Sequence, residues 1–421
     1  MGRFSRRTFV AWVGGASAGF YLFGRLPGTS APVALAQIPG GTLDPLAVPK
    51  YGTPLLVPPV MPRTDTIPRP GGKPVDYYEI SMRQFSQQIL PAGLPATTVW
   101  GYGSKAAQSN RGLLLHNAPS LTIEAMWNRP VRIKWVNELH DANGRFLQHL
   151  LPVDPTLHWA NPPGGRRGRD SRPDFTGGPT PGPYTGPVPM VVHLHGAESP
   201  AQESDGYAEA WYLPAARDIP AGHARTGTYY DIFEDSSPLG DKWDPGTAVF
   251  EYENDQAAAT LWYHDHTLGM TRLNVYAGPA GFYLLRGGPK DAVGGKLPAP
   301  APALGDRPGT RYYEIPIAIQ DRSFDEDGSL FYPDSREFFD GFAGPYIPES
   351  DIAPIWNPEF FGNTMVVNGK TWPALEVEQR RYRFRFLNGC NSRFLILRLG
   401  SGLPFWQIGA EGGFLPEPVE L

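Results

Sequence analysis

Over much of the chain, apolar residues recur at every second position in short runs bounded by Gly, Pro, Asn or Asp. Val131-Arg132-Ile133-Lys134-Trp135-Val136 alternates apolar and basic residues, the pattern of a strand with one buried face. Residues 75–82 and 312–319 are strand-like as well. Pro- and Gly-rich stretches separate such runs. Residues 37–74 are expected to wrap over the surface as extended chain. Residues 161–189 are expected to form a long loop, its Arg166, Arg167 and Arg169 solvated with Asp170 and Asp174 close by. Residues 287–309 are the best linker candidate. Asp325-Glu326-Asp327-Gly328 reads as a tight hairpin turn, because no helical pattern flanks it as a calcium loop would require. Two segments echo each other: 119–124 and 373–378 share Pro-x-Leu-x-(Ile/Val)-Glu, and each leads to an alternating strand ending in Asn. The pattern predicts an all-β chain containing two copies of one β-sandwich unit.

Composition narrows the class. Gly (49) and Pro (47) make up nearly a quarter of the 421 residues without a collagen-like period, which favours turns over long helices. A net charge of −5 argues against a general nucleic-acid binder. The single cysteine, Cys390, excludes an internal disulfide framework and any cysteine-rich metal site; it is expected to be a buried free thiol. The N-terminus reads Ser5-Arg6-Arg7-Thr8-Phe9, then an apolar stretch to Phe23, then Ala34-Leu35-Ala36 before Gln37. This predicts a twin-arginine signal peptide over 1–36 and export to the periplasm, cell envelope or extracellular space. The apolar run is broken by Gly14, Gly15 and Gly19, so no membrane span is expected there or elsewhere.

The chemistry lies in the histidines. Val191-Val192-His193-Leu194-His195-Gly196 and Leu261-Trp262-Tyr263-His264-Asp265-His266 are both strand-like, and residues i and i+2 of a strand share a face. Each segment therefore presents two imidazoles side by side, and four converge if the strands are neighbours. Neutral imidazole is a ligand for copper, zinc, iron or nickel; with no thiolate nearby an all-nitrogen cluster suits copper, although ligand type alone does not exclude zinc. His116, His140, His149, His158 and His223 are scattered singly, and the 155 residues after His266 contain no histidine.

These residues resemble the first two copper motifs of the multicopper oxidases. The flanks Ser204-Asp205-Gly206, Glu209-Ala210-Trp211 and 271–278 (TRLNVYAG) are similar to the branch of bacterial spore-coat laccase, bilirubin oxidase and phenoxazinone synthase. So are 327–333, Val367-Asn368-Gly369-Lys370 and 381–385, which resemble that branch's second domain. The resemblance implies cupredoxin-like β-sandwich domains: a first, complete one over 37–288, a linker over 289–310, a second over 311–421 that is cut short, and no third.

The resemblance also implies roles. His193 would bind the type 2 copper, His195 and His264 one copper of the type 3 pair, and His266 the other. Asp205 resembles the acid that helps supply protons as dioxygen becomes water; Asp265 is a candidate to anchor a hydrogen bond behind the ligands. The family couples one-electron oxidation of a reducing small-molecule substrate to four-electron reduction of dioxygen. Half of the cluster's eight histidines and the whole type 1 site would come from elsewhere. The chain is therefore expected to be the N-terminal part of such an oxidase, inactive alone, needing a C-terminal domain or partner chain. Two alternatives stand beside this: a non-catalytic cupredoxin-like cell-envelope scaffold, whose relatives lose these histidines, and a half-site that pairs with another chain.

Overall fold

The computed structural model describes residues 43–105, 116–175, 181–239, 242–291, 296–307, 309–334, 359–400 and 402–421. The expected leader over 1–36 lies outside the described residues, as do 292–295 and 308 of the expected linker.

Strands dominate: β1 (Asp65–Ile67), β2 (Val75–Gln87), β3 (Thr97–Ser104), β4 (Ser120–Met126), β5 (Val131–Asn137), β6 (Val192–His195), β7 (Thr247–Tyr252), β8 (Ala259–Asp265) and β9 (Ala280–Arg286). There follow β10 (Glu314–Phe324), β11 (Leu330–Phe331), β12 (Thr364–Val367), β13 (Lys370–Thr371), β14 (Arg383–Asn388), β15 (Trp406–Ala410) and β16 (Gly413–Glu420). In β5 the alternation is realised: Val131, Ile133 and Trp135 are buried, while Arg132 and Lys134 reach the surface. No helix among the described residues is long and apolar enough to cross a membrane.

Two sheets face each other. One runs β1-β2-β5-β7 with β3 also on β2; the other runs β4-β9-β8-β6. Between them lies an aromatic layer. The rings of Tyr102 on β3 and Trp135 on β5 each stand 5.5 Å from Tyr263 on β8, and Tyr252 on β7 stands 6.1 Å from Tyr283 on β9. These side chains are buried, and full burial of one such ring contributes about 2–3 kcal/mol.

A third sheet, β11-β10-β12-β13 with β14 on β10, lies beyond β9. Phe282 and Leu284, on the outer face of β9, pack against Ala318 of β10 and Leu387 of β14. The internal echo is visible in topology: β5 runs parallel to β2, and β14 runs parallel to β10. The two motif segments themselves differ. Residues 120–126 form β4 because β9 lies alongside, whereas 375–378 form no strand; only Ala374 bridges to Pro54.

The loops also differ in part from expectation. Residues 325–328 do form a hairpin turn, with Asp325 N–H bonded to Ser329 O at 2.9 Å and Gly328 at φ 84°. The 161–189 segment contains a turn of helix, Gly165–Gly168. Its Arg166 and Arg169 pair with Asp231, at 3.1 and 3.5 Å, rather than with Asp170. Asp170 instead accepts the Trp211 indole N–H at 2.5 Å and the Thr228 N–H at 2.7 Å. Residues 54–61 run extended, as expected, whereas 44–48 make a turn with Ala47 N–H on Asp44 O; backbone bonds tie Leu43 to Phe324, Tyr51 to Trp372, Leu55 to Ala374 and Met61 to Thr122.

Candidate metal centre

β6 and β8 are antiparallel neighbours, with His193 opposite His264 and His195 opposite Trp262. Strand parity sends Val192, Leu194, Tyr263 and Asp265 into the core and the histidines to the outer face. His266 follows β8 directly, its N–H bonded to Val191 O at 2.8 Å. Four imidazoles therefore share one patch. Ring centroids lie 5.0 Å apart for His193 and His266, 5.6 Å for His193 and His264, 5.6 Å for His195 and His264, and 6.0 Å for His264 and His266. Trp262 flanks them, 4.1 Å from His264 and 5.3 Å from His195. The patch is not sealed, for His195 is exposed.

Backbone carbonyls set the orientation of three rings. His193 Nδ1 lies 2.5 Å from Asp205 O, His266 Nδ1 3.0 Å from Gly206 O, and His264 Nδ1 2.7 Å from Asp265 O. A carbonyl only accepts, so each Nδ1 carries the proton and each Nε2 keeps a lone pair. His195 differs: its Nδ1 stands 3.4 Å from His264 Nε2. Without metal, His195 donates across this gap. In its other tautomer the two nitrogens aim lone pairs at a common point. Two ligands about 2.0 Å from one ion at a tetrahedral angle are about 3.3 Å apart, close to this separation.

Burial favours the neutral form of His195, His264 and His266. Burial lowers the pKa of His195 and His266, with the His193 ring pushing the same way. Burial holds His264 at about 3, against the pull of the Asp265 carbonyl. Neutral imidazoles with free lone pairs are what a transition-metal ion takes up. Among the described residues no three of His, Cys, Asp or Glu close around a single ion. The donor set, imidazole nitrogens with no thiolate beside them, fits a transition-metal ion such as copper.

The other candidates fall in different places. Asp205 is at the patch: Oδ1 is 3.5 Å from His193 Nδ1, and the side chain is 36% exposed. Asp265 is on the opposite, buried face, where burial raises its pKa to about 7. It accepts Thr267 N–H (3.0 Å), Thr267 Oγ1 (3.0 Å), Asn274 Nδ2 (2.8 Å) and Val191 N–H (3.3 Å). It thereby ties the end of β8 to the start of β6, and its carboxylate bonds no imidazole of the patch directly. Sequence reasoning did not pick out Asn274, nor His149, whose Nε2 bonds Asn274 Oδ1 at 2.9 Å. Nor did it find the ring-flanking role of Trp262, although its parity with His264 was a signal. His116, His140 and His158 bond to Ser81, Asp141 O and Asp170 O; His223 sits in a turn, its N–H on Pro220 O. Cys390 is half-buried, with Sγ 3.6 Å from Ile319 O, and burial pushes its thiol up to about 12.

No protein-family model matches the chain. Individual proteins do. It is 38% identical over 343 residues to a laccase of Bacillus stratosphericus, covering 82% of this chain and 51% of that protein. It is 36% identical over 362 residues to a laccase of Bacillus subtilis, covering 86% and 55%. It is 36% identical over 326 residues to an Oryza sativa protein named as a multicopper oxidase, covering 77% and 42%. The chain thus spans about half the length of the curated relatives it matches. Among solved structures it is similar to a laccase from Pediococcus acidilactici, with TM-score 0.53 and 21% identity over 89% of this chain and 54% of that one. A multicopper oxidase from Campylobacter jejuni gives TM-score 0.51 and 17% identity, covering 90% and 52%. At these identities the structures speak to the fold, which is cupredoxin-like.

Proposed function

The chain belongs to the multicopper oxidase family, and we propose that it contributes His193, His195, His264 and His266 to a copper cluster that reduces dioxygen to water. When bound, such a cluster collects electrons drawn from a reducing substrate and passes them to dioxygen. His193 would hold the type 2 copper, His195 Nδ1 and His264 Nε2 one type 3 copper, and His266 Nε2 the other. The observation that carries this reading is the pair of nitrogens 3.4 Å apart, beside two rings whose Nδ1 atoms are occupied by carbonyls. Asp205 serves twice in it. Its carbonyl fixes the His193 ring, and its half-exposed carboxylate, with Oδ1 3.5 Å from His193 Nδ1, would relay protons between water and the cluster.

At most two imidazoles per ion come from these residues, and the remaining histidines are engaged elsewhere. We infer that the other ligands and the type 1 copper come from residues outside these 421, in the same polypeptide or a partner chain. Exposed His195 supports an uncovered side, as do Phe394 and Ile396, 93% and 94% exposed. The chain alone is expected to bind copper and not to oxidise an aromatic dye. Anaerobic copper titration against a competing chelator tests this, with His264→Ala as comparison. Tight uptake that is lost in the variant supports the proposal; no uptake by the unsubstituted chain refutes the ligand assignment. Dye oxidation by the chain alone refutes the inference about missing ligands. We further propose export by the twin-arginine route; Arg6→Lys with Arg7→Lys should leave the protein in the cytoplasm, and unchanged export would count against it.

A further inference from the structure

The seam between β9 and the third sheet encloses a cavity of about 160 Å³, lined by Arg286, Asp291, Glu314, Arg383, Arg385 and Phe414 among others. Its charges do not balance in contact. Glu314 Oε1 accepts from Arg385 Nε at 2.6 Å and from Arg286 Nη1 at 2.8 Å. Glu314 Oε2 is left with Arg383 Nη1 at 3.4 Å. Arg286 is further held by both oxygens of Glu124, and Arg385 Nη1 by Thr260 Oγ1 at 2.8 Å. Three guanidiniums thus contact two carboxylates. The 3.4 Å bond is the one side-chain hydrogen bond of Arg383 among the described residues, and its guanidinium lies 5.2 Å from the Phe414 ring centroid. The side chains of Arg383 and Arg385 are only 12% and 8% exposed. A cation so enclosed is costly unless an anion meets it. Asp291, at the rim, turns Oδ2 to the Gly287 N–H at 2.9 Å instead. Burial and the neighbouring Arg385 lower the Arg383 pKa to about 10, so it stays charged at neutral pH.

We propose that this seam is a binding site for a small oxyanion, received by the unspent N–H groups of Arg383 and Arg385. A guanidinium offers two parallel N–H groups to a carboxylate, sulfate or phosphate, and such charge-assisted bonds are the strong ones. Phe414 covers Arg383 on one side, and the cavity limits the occupant to a small anion. The site shares a sheet face with the imidazoles, since Thr260 precedes His264 by four residues on β8, roughly 13 Å along the strand. It uses none of the copper-ligand candidates, so it stands or falls separately from the copper reading.

The test is calorimetric titration of the 421-residue chain with sodium sulfate, chloride keeping the ionic strength constant. Saturable one-site binding is expected. Arg383→Gln should weaken it by about tenfold or more, the equivalent of one charge-assisted bond. Arg383→Lys, which keeps the charge and loses the fork, should fall between. Asp291→Asn removes a competing negative charge and should tighten binding. Succinate and phosphate in place of sulfate sort the oxyanion by shape. Absence of saturation in the unsubstituted chain overturns the proposal, as does equal affinity in folded Arg383→Gln. Should Arg383→Gln lose its circular-dichroism signature of folding, Asp291→Asn decides, and unchanged or weaker sulfate binding there overturns it.

Discussion

Gly206→Ala is the sharpest test of how the imidazoles are held. Gly206 has φ +76°, and a Cβ placed on it would lie 2.2 Å from Val192 O and 2.8 Å from His193 Cα. Both contacts are to the backbone of β6, which cannot rotate aside as a side chain can. A side chain in this backbone region costs about 1–2 kcal/mol, and overpacking adds about 1–3 kcal/mol. Together they amount to a loss of about 2–5 kcal/mol in stability. Relief requires the loop to withdraw from β6 by about 1 Å, to ordinary contact distance. The same loop carries the carbonyls of Asp205 and Gly206 that hold His193 and His266 at 2.5 and 3.0 Å. Withdrawal by that amount breaks both bonds, frees both rings and should lower copper affinity by about 10–100-fold. Gly196→Ala is the control. Gly196 also has positive φ, but the Cβ there meets only the Leu261 side chain, and its carbonyl serves Gln256 rather than an imidazole. It should lose about 1–2 kcal/mol and keep its copper affinity. Urea unfolding of the metal-free proteins and chelator competition for copper give the two readouts. A destabilised Gly206→Ala with unchanged copper affinity would refute the carbonyl clamp, and unchanged stability would refute the steric reasoning as well.

Further outcomes follow from the surroundings of the patch. Asp265→Ala leaves the Thr267 and Val191 N–H groups without their acceptor in the core, Thr267 Oγ1 and Asn274 Nδ2 keeping Pro189 O, and should cost about 2–4 kcal/mol by urea unfolding; a loss under about 1 kcal/mol would mean that water replaces the carboxylate. Burial holds His149 at about 4, below the ordinary 6.5, so the unfolded chain takes up the proton first. Its contribution is therefore complete above pH 6.5 and is lost as the pH falls towards 4, by at most about 2 kcal/mol at pH 5. His149→Gln should flatten the fall in urea midpoint between those limits, and an unaltered slope would assign the acid sensitivity to other groups. Phe394→Ser with Ile396→Ser removes two almost fully exposed apolar side chains and should raise the concentration at which light scattering finds the chain monomeric, with no change in unfolding midpoint. Glu314→Gln leaves three arginines without their shared carboxylate and should cost about 3–5 kcal/mol, less when sulfate is present.

How far the sequence revealed this molecule depends on which chemical groups do the holding. Side-chain periodicity made β5 legible from Val131 to Trp135, and the same two-residue parity put His193 beside His195 and His264 beside His266. That β6 and β8 are neighbours is a pairing choice across the chain, and the structure supplies it as a register with His193 opposite His264. The same holds for 373–378, whose echo of 119–124 does not say which segment lies alongside it. A strand needs a neighbouring segment for its N–H and C=O groups, and among the described residues the β-bridge within 373–378 is that of Ala374 with Pro54, while Glu378 N–H turns to the nearby Tyr382 hydroxyl. Arg166 and Arg169 went to Asp231 rather than to Asp170 because the loop folds onto the helix Thr228–Ser236, a contact between segments far apart in sequence. The parts of the patch least visible in sequence are the carbonyls of Asp205, Gly206 and Asp265, since every residue has a carbonyl and no letter says where it points. Gly206 is the one place where that hidden geometry leaves a mark. A side chain there would collide with β6, so the need to bring two carbonyls against two imidazoles is written as the absence of a Cβ.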